Sequence, residues 1–178
     1  MDHQDHIALL KDGLATEDGI WADFGAGTGA FTLALAELLG PSGQIYSIDK
    51  DRQALDSQAR TFNKHFADLP HPSIQYINYD YTQKLDLPLL DGALMANSLH
   101  FHKQKVEVIQ LLQDYLKPEG AFILVEYNVD RGNHWVPYPL SFPTWERLSQ
   151  RLGFRSTILL ARHPSSFLKE FYSALSIY

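Results

Sequence analysis

The chain has 178 residues, of which 45% are hydrophobic and 20% charged, a composition typical of one globular domain with a substantial core. The 15 basic and 21 acidic residues give a net charge of −6, which argues against nucleic acid or an anionic membrane as the main partner. The absence of cysteine excludes disulfides, thiolate metal sites and a cysteine nucleophile. The first residues do not form a signal peptide and no apolar stretch is long enough to cross a bilayer, so we expect a cytoplasmic protein.

Short apolar runs typical of strands alternate with helical patterns, after an N-terminal segment, residues 1–18, that we expect to be helical. The predicted strands span residues 19–24, 44–49, 73–79, 92–97 and 121–127. Helices are indicated by residues 30–39, which are apolar almost all round, and by apolar faces built on Leu55, Ala59, Phe62 and Phe66 and on Val108, Leu111, Leu112 and Tyr115. This alternation predicts an α/β fold, a doubly wound and mostly parallel sheet with helices on both faces. Ligands of such sheets bind at the carboxyl ends of the strands.

The last third of the chain departs from this alternation. Residues 128–143 contain three prolines, and we expect a loop over the site there. Trp145, Leu148 and Leu152 then indicate a helix face. The segments 155–161 and 167–177 are joined by RHPSS, which is too short for a crossover helix and predicts an antiparallel hairpin. Residues 167–177 also fit a helix face, but the short joint favours a strand.

The strongest local signal is the glycine-rich run from Asp23 to Gly29, which follows a predicted strand and opens a predicted helix. Glycines allow a tight turn and a close approach of the ligand to the backbone, and the helix N-terminus offers free N–H groups. Gly25, Gly27 and Ala30 also satisfy the dinucleotide pattern, so an NAD(P)-dependent oxidoreductase is an alternative. Asp49, which ends the second strand, suits the hydroxyls of a ribose in either class.

Three further features favour a sulfonium methyl donor over a dinucleotide. Asp23, two residues before the first glycine, suits the cationic amino group of a methionine tail and would repel a pyrophosphate. Asp80 and Tyr81 follow the third strand, where an adenine needs an acceptor for its amino group and an apolar cover. The closing hairpin is not required by dinucleotide domains.

On these residues the chain resembles the class I S-adenosylmethionine-dependent methyltransferases. The resemblance rests on DFGAGTG (23–29), IDKD (48–51), NYDYT (78–82), LDGALMANSLHF (90–101) and LKPEGAFILVEY (116–127). It implies a single domain over residues 1–178, with a seven-stranded, mostly parallel sheet whose last strand is antiparallel. It also implies S-adenosylmethionine as cofactor and S-adenosylhomocysteine as product. A subunit that binds the donor without catalysis is a further alternative.

The resemblance also implies roles for individual residues. The methionine portion of the donor is assigned to the start of the glycine loop: Asp23, Phe24, Gly25, Ala26 and Gly27. Asp49 takes the ribose hydroxyls, Lys50 lies beside the adenine, Asp80 and Tyr81 flank its ring, and Asn97 lines the floor near the methyl group.

The acceptor side is less defined. His100 and His102 follow the fourth strand, and we expect both at the rim of the site. His100, Tyr127 and His134 are the candidates for a base or an acceptor contact. Asn97-Ser98-Leu99-His100 replaces the N-P-P-Y tetrad of relatives that methylate exocyclic amines of nucleobases or glutamine amides. We therefore expect a small-molecule acceptor, with a protein side chain as the second choice and nucleic acid disfavoured. Little chain is left to close a pocket, so either the acceptor is large or a second copy completes the site as a homodimer joined through residues 135–142. His3 and His6 with Asp2 and Asp5 lie in a terminal segment, and we expect no metal there.

Overall fold

A computed structural model describes residues 1–178. Five helices and seven strands follow one another along the chain: α1 His3–Leu10, β1 Ile20–Phe24, α2 Ala30–Leu39, β2 Gln44–Asp49, α3 Arg52–His65, β3 Ser73–Asn78, β4 Leu90–Ala96, α4 Lys105–Gln113, β5 Leu116–Tyr127, α5 Phe142–Arg151, β6 Ser156–Ser165 and β7 Lys169–Ile177. Two short 3-10 turns occupy Lys11–Gly13 and Leu99–Phe101. No helix combines the length and the apolar character needed to span a membrane.

The strands form one seven-stranded sheet in the order β3-β2-β1-β4-β5-β7-β6. Strands β1 to β5 are parallel, whereas β7 is antiparallel to both β5 and β6. The strand order reverses between β1 and β4, so the carboxyl ends of these two strands form the switch point where ligands bind in such sheets. The predicted sheet and the strand assignment of the last segment are confirmed.

Local signals in the sequence explain where the helices begin and end. Asp2 and Asp5 form a reciprocal capping box at the start of α1. Asp51 caps α3 by accepting hydrogen bonds from the N–H groups of Gln53 and Ala54. Gly40, with a φ of 64°, ends α2 in the left-handed region.

The core lies on both faces of the sheet. One cluster packs α4 and α5 against the sheet through residues such as Ile109, Leu112 and Trp145. The other packs α1, α2 and α3 through residues that include Leu9, Leu35 and Phe62. Neighbouring residues of β5 alternate between the two clusters, as the pleat of a strand requires.

Three predicted boundaries were wrong. The predicted turn RHPSS is mostly strand, because Arg162 to Ser165 pair with β7 and the reversal falls at residues 166–168. Pro164 is tolerated there because β6 is an edge strand, where a missing N–H breaks no inner ladder. The N-terminal helical structure stops at Gly13, and β5 begins at Leu116 rather than at residue 121.

Candidate active site

The glycine loop joins β1 to α2 at the switch point of the sheet. Gly25, Gly27 and Gly29 have φ values of 79°, 55° and 85°, in the left-handed region that disfavours side chains. A Cβ on Gly25 would lie 2.6 Å from the Cβ of Ser98 and 3.1 Å from Cε1 of Tyr81. A Cβ on Gly27 would meet nothing within 4 Å, so the backbone there borders open space.

Two adjoining cavities flank this loop and share Gly25, Gly27 and Asn97. The larger has a volume of about 420 Å³ and is otherwise lined by Asp49, Lys50, Asp80, Tyr81, Ser98, Phe101 and His102. The smaller, of about 260 Å³, is otherwise lined by Asp23, Ala26, Thr28, Ala30, Ala96, and His6 and Phe31 from the first two helices. All the predicted donor-binding residues except Phe24 therefore line one or both cavities.

Phe24 is the exception because side chains alternate along a strand. Its ring is fully buried in the core, 6.1 Å from the ring of Tyr115, and only its main chain borders the site. The carbonyl of Phe24 accepts a 2.9 Å hydrogen bond from the Ser98 hydroxyl. Phe24 can therefore take part in the predicted binding of the donor only through its main chain.

Asp23 is a buried carboxylate at the end of β1, with 1% of its surface exposed. Burial, assisted by the charge of Asp49, raises the pKa of Asp23 to about 7, against the opposing effect of a hydrogen bond from Thr32. The Thr32 hydroxyl donates that bond to Oδ2 over 2.6 Å. A cation in the smaller cavity would restore the ionised form of this carboxylate.

Asp49 is held by two main-chain donors. Its Oδ2 accepts from the N–H of Gly27 and its Oδ1 from the N–H of Asp51, both over 2.8 Å. Because Asp51 caps α3, Asp49 is not needed as the helix cap. Each of its oxygens retains acceptor capacity for a ligand in the larger cavity.

The far side of the larger cavity carries Asp80 and Tyr81. Oδ1 of Asp80 accepts from both the N–H and the hydroxyl of Thr82, which lowers the pKa of Asp80 and keeps it an acceptor. The hydroxyl of Tyr81 lies 2.6 Å from Nε2 of His102. Burial raises the pKa of Tyr81 and lowers that of His102, so the pair is a neutral hydrogen bond.

Asn97 stands where the two cavities meet. Its φ of 53° is strained for a residue with a side chain, and its N–H donates to the carbonyl of Val125 over 2.9 Å. Its buried Oδ1 has no hydrogen-bond partner. A buried acceptor without a donor is costly, and this one belongs to a residue that lines both cavities.

The three acceptor-side candidates do not line these cavities. His100 is 3% exposed, not at the rim, and its Nδ1 lies 2.9 and 3.0 Å from the two oxygens of the buried Glu126. Tyr127 packs on Phe171 with ring centroids 4.2 Å apart. His134 is exposed beside Trp135 on the loop before α5. Of the two histidines predicted at the rim, His102 lines the larger cavity beside Phe101, whereas His100 does not.

His6 is a site residue that the sequence reasoning set aside as part of a terminal segment. The residues Asp2, His3, Asp5 and His6 do not converge, since the two aspartates cap α1. His6 packs its ring against Phe31 with centroids 4.6 Å apart and so borders the smaller cavity. The Asp2-x-x-Asp5 spacing was the signal that could have predicted this ordered helix.

A doubly wound sheet with a glycine loop and carboxylates at successive strand ends defines a protein of the class that binds adenosine-containing ligands. A sequence model described as "Methyltransferase domain" matches residues 17–151, most of the chain. The chain therefore belongs to the methyltransferase domain family. This membership removes the support for an NAD(P)-dependent oxidoreductase.

Individual relatives agree with this assignment. Ribosomal RNA small subunit methyltransferase H from Paracidovorax citrulli is 32% identical over 177 residues, covering 91% of this chain and 56% of that protein. The chain spans about half or less of the length of the curated relatives it matches.

Solved structures show the same fold. The YcgJ protein from Bacillus subtilis matches with a TM-score of 0.75 at 12% identity, covering 99% of this chain and 98% of that one. A second match is Burkholderia thailandensis 1,6-didemethyltoxoflavin-N1-methyltransferase, solved with bound 1,6-didemethyltoxoflavin and S-adenosylhomocysteine. Its TM-score is 0.73 at 18% identity, and the match covers 98% of this chain and 77% of that one. These likenesses confirm the predicted fold class.

Proposed function

We propose that this chain binds S-adenosylmethionine across the two cavities and transfers its methyl group to a small molecule, leaving S-adenosylhomocysteine. The observation that carries the proposal is the place of Asp23, a fully buried carboxylate that lines the smaller cavity beside the glycine loop. A carboxylate there attracts the ammonium group of a methionine tail, whereas it would repel a pyrophosphate. Family membership points to the same donor.

The lining of the cavities fits the parts of this donor in order. In the smaller cavity, Asp23 would accept a hydrogen bond from the amino group of the methionine tail. The imidazole of His6, which lines the same cavity, would donate to the carboxylate of that tail. Gly25 and Gly27 would allow close approach of the ligand to the backbone. Asp49 would accept from the ribose hydroxyls and Asp80 from the adenine amino group, in the larger cavity.

The donor supplies a methyl group already activated on a sulfonium sulfur, so the protein chiefly binds and aligns. Asn97, at the wall shared by both cavities, would border the middle of the donor. Tyr81 and Phe101 would exclude water around the adenosine portion. The chain's part in the reaction is to hold the acceptor in line with the reacting carbon, which removes much of the entropic barrier.

The acceptor would enter beside Phe101, which lines the larger cavity although 59% of its surface is exposed. The loop before α5 lies against this point, because the N–H of Tyr138 donates to the carbonyl of His100 over 2.9 Å. Tyr138 is itself 42% exposed. Two exposed rings at the mouth favour a small, partly apolar acceptor, of the kind named for the Burkholderia enzyme.

A second copy of the chain would complete this open side. Trp135, 72% exposed on the same loop, is the residue we expect at the contact between copies. Light scattering of the wild type and of Trp135→Ser tests this: a dimer that the substitution converts to a monomer is the expected result, and a monomeric wild type would contradict it. The cytoplasmic location stays a prediction from the sequence.

Turnover is tested by incubating the protein with cell-extract fractions and S-adenosylmethionine that is labelled on the methyl group. Label in the small-molecule fraction is the expected result. Label in protein would mean that the acceptor is a protein side chain and not a small molecule, and it would leave the assignment as a methyltransferase intact. Donor binding without transfer to any fraction would identify the chain as a non-catalytic subunit. The matched control is Asp49→Ala, which should lose the transfer.

A further inference from the structure

Three side chains from three different helices meet on the face of the sheet opposite α4 and α5. Nε2 of His3 on α1 lies 2.7 Å from Oε1 of Glu37 on α2, and Nε2 of His65 on α3 lies 2.5 Å from the same oxygen. One nitrogen or oxygen atom from each residue falls within 4.8 Å of the others. We call these residues the helix triad.

The triad is placed by packing rather than by loop geometry. Leu9 and Leu10 bury α1 in the same core cluster that holds α2 and the Phe62 face of α3. The ring of His65 also packs edge-on against Phe66, with centroids 4.8 Å apart. The polar ends remain within reach of solvent, with 29%, 28% and 33% of the side-chain surface of His3, Glu37 and His65 exposed.

We propose that the helix triad binds one divalent transition-metal ion of the zinc type through both imidazoles and the carboxylate. Two histidine nitrogens and one carboxylate oxygen are a ligand set that Zn²⁺ accepts, with water in the fourth position. Mg²⁺ and Ca²⁺ prefer oxygen ligands and would not compete. Ligand atoms about 2.1 Å from a tetrahedral ion lie roughly 3.4 Å apart. Each imidazole nitrogen would therefore move less than about 1 Å away from the carboxylate oxygen, and the two nitrogens, which lie within 4.8 Å of each other, would approach by at most about 1.4 Å.

The ion would fasten α1 to the body of the domain. His6, on the same helix as His3, borders the smaller cavity beside the glycine loop. A metal at the triad would therefore hold one wall of that cavity in place. The triad itself lies outside both cavities, so metal binding does not require the methyl donor and can be tested with the metal alone.

Calorimetry with Zn²⁺ tests the proposal on protein whose affinity tag has been removed, in a buffer that does not chelate metal. Wild type should bind one equivalent, and Mg²⁺ in the same concentration range should give no heat. His3→Gln and His65→Gln can still hydrogen-bond to Glu37 but lose a ligand nitrogen, and Glu37→Gln loses the carboxylate. Each should weaken Zn²⁺ binding by about 100-fold. Substitutions of residues that only hydrogen-bond to a metal ligand already weaken binding by up to about that factor, and these variants remove a ligand itself.

The control is His134→Gln, which removes an exposed histidine outside the triad and should leave Zn²⁺ binding unchanged. Circular dichroism in the presence of EDTA checks that each triad variant is folded. Zn²⁺ should also raise the melting temperature of the wild type and of His134→Gln, but not that of the triad variants. Absence of Zn²⁺ binding by the wild type, or equal affinity in folded triad variants, would overturn the proposal.

Discussion

The N–H of Gly27 donates a 2.8 Å hydrogen bond to Oδ2 of Asp49, across 22 residues of sequence. This bond ties the glycine loop to the carboxyl end of β2, so two elements of the donor site are positioned by one contact. The other oxygen of Asp49 is held by Asp51. The carboxylate is thus fixed before any ligand arrives, which reduces the entropic cost of binding.

Replacing Asp49 with alanine should weaken S-adenosylhomocysteine binding by about tenfold or more, because hydrogen bonds to a charged group contribute roughly 1.5–3 kcal/mol each. Calorimetry measures the change. The matched control is Asp51→Ala, which removes a neighbouring carboxylate that caps α3. It should cost about 1 kcal/mol of stability and leave donor affinity intact. Equal losses of affinity in the two variants would mean that Asp49 has no specific role.

Alanine at Gly25 and at Gly27 should have different consequences. Both residues have positive φ values, so each variant loses about 1–2 kcal/mol to backbone strain. Gly25→Ala also collides with Ser98, which should bring its total loss to about 3 kcal/mol in urea unfolding. Gly27→Ala points its methyl group into open space and should chiefly reduce donor affinity. Identical stabilities would argue against the described loop geometry.

Asp23 should make the stability of the donor-free protein depend on pH. Its pKa is raised by burial to about 7 in the folded state from 3.8, so between these values the folded protein binds more protons than the unfolded chain. Stability therefore falls as pH rises from about 4 to 7, by up to about 4 kcal/mol from this group, and is level above 7.

The variant that tests this pH dependence is Asp23→Asn, which keeps an acceptor for Thr32 without the charge. Its free energy of unfolding, measured with urea, should not show the fall between about pH 4 and 7 that Asp23 causes. The variant should also be more stable than the wild type at pH 8. It should also bind the donor more weakly there, because the ammonium group loses its counter-ion. A variant that is less stable than the wild type at pH 8 would contradict the assigned charge state.

Glu126 should be a stabilising residue rather than a catalytic one. Its carboxylate accepts from the N–H of His100, from Nδ1 of His100 and from the N–H of Tyr127, all in a buried setting. Glu126→Ala leaves these donors unpaired and should cost about 3 kcal/mol or more. Urea unfolding measures the loss, with exposed Glu146→Ala on α5 as the control. A loss below about 1 kcal/mol would mean that water replaces the carboxylate.

Local patterns were enough to predict the elements that position the site. The bounds of α2 and β2 agree with the predicted ranges. The apolar run of each element is local to its segment, and glycines mark both ends of α2 and the start of β2. The sequence also predicted that the carboxylates Asp23, Asp49 and Asp80, which follow three of the strands, lie at one site. The carboxyl ends of parallel strands meet at one edge of the sheet. The burial of Phe24 followed from the two-residue period of β1 and could have been predicted as well.

Contacts between distant segments could not be predicted. The burial of His100 depends on Glu126, which is 26 residues away, and nothing in the local sequence marks this pairing. The place of His6 depends on how α1 docks against α2. The helix triad likewise joins Glu37 to histidines that lie 34 and 28 positions away in the sequence. Such pairings are set by packing of the whole domain, not by propensity within a segment.

The central claim is that the two cavities bind the methyl donor, and titration calorimetry tests it most directly. S-adenosylmethionine, S-adenosylhomocysteine and NAD are each titrated into the wild-type protein under the same conditions. We expect one equivalent of each S-adenosyl ligand to bind and NAD not to bind. Binding of NAD alone, or binding of the S-adenosyl ligands that neither Asp23→Asn nor Asp49→Ala weakens, would contradict it.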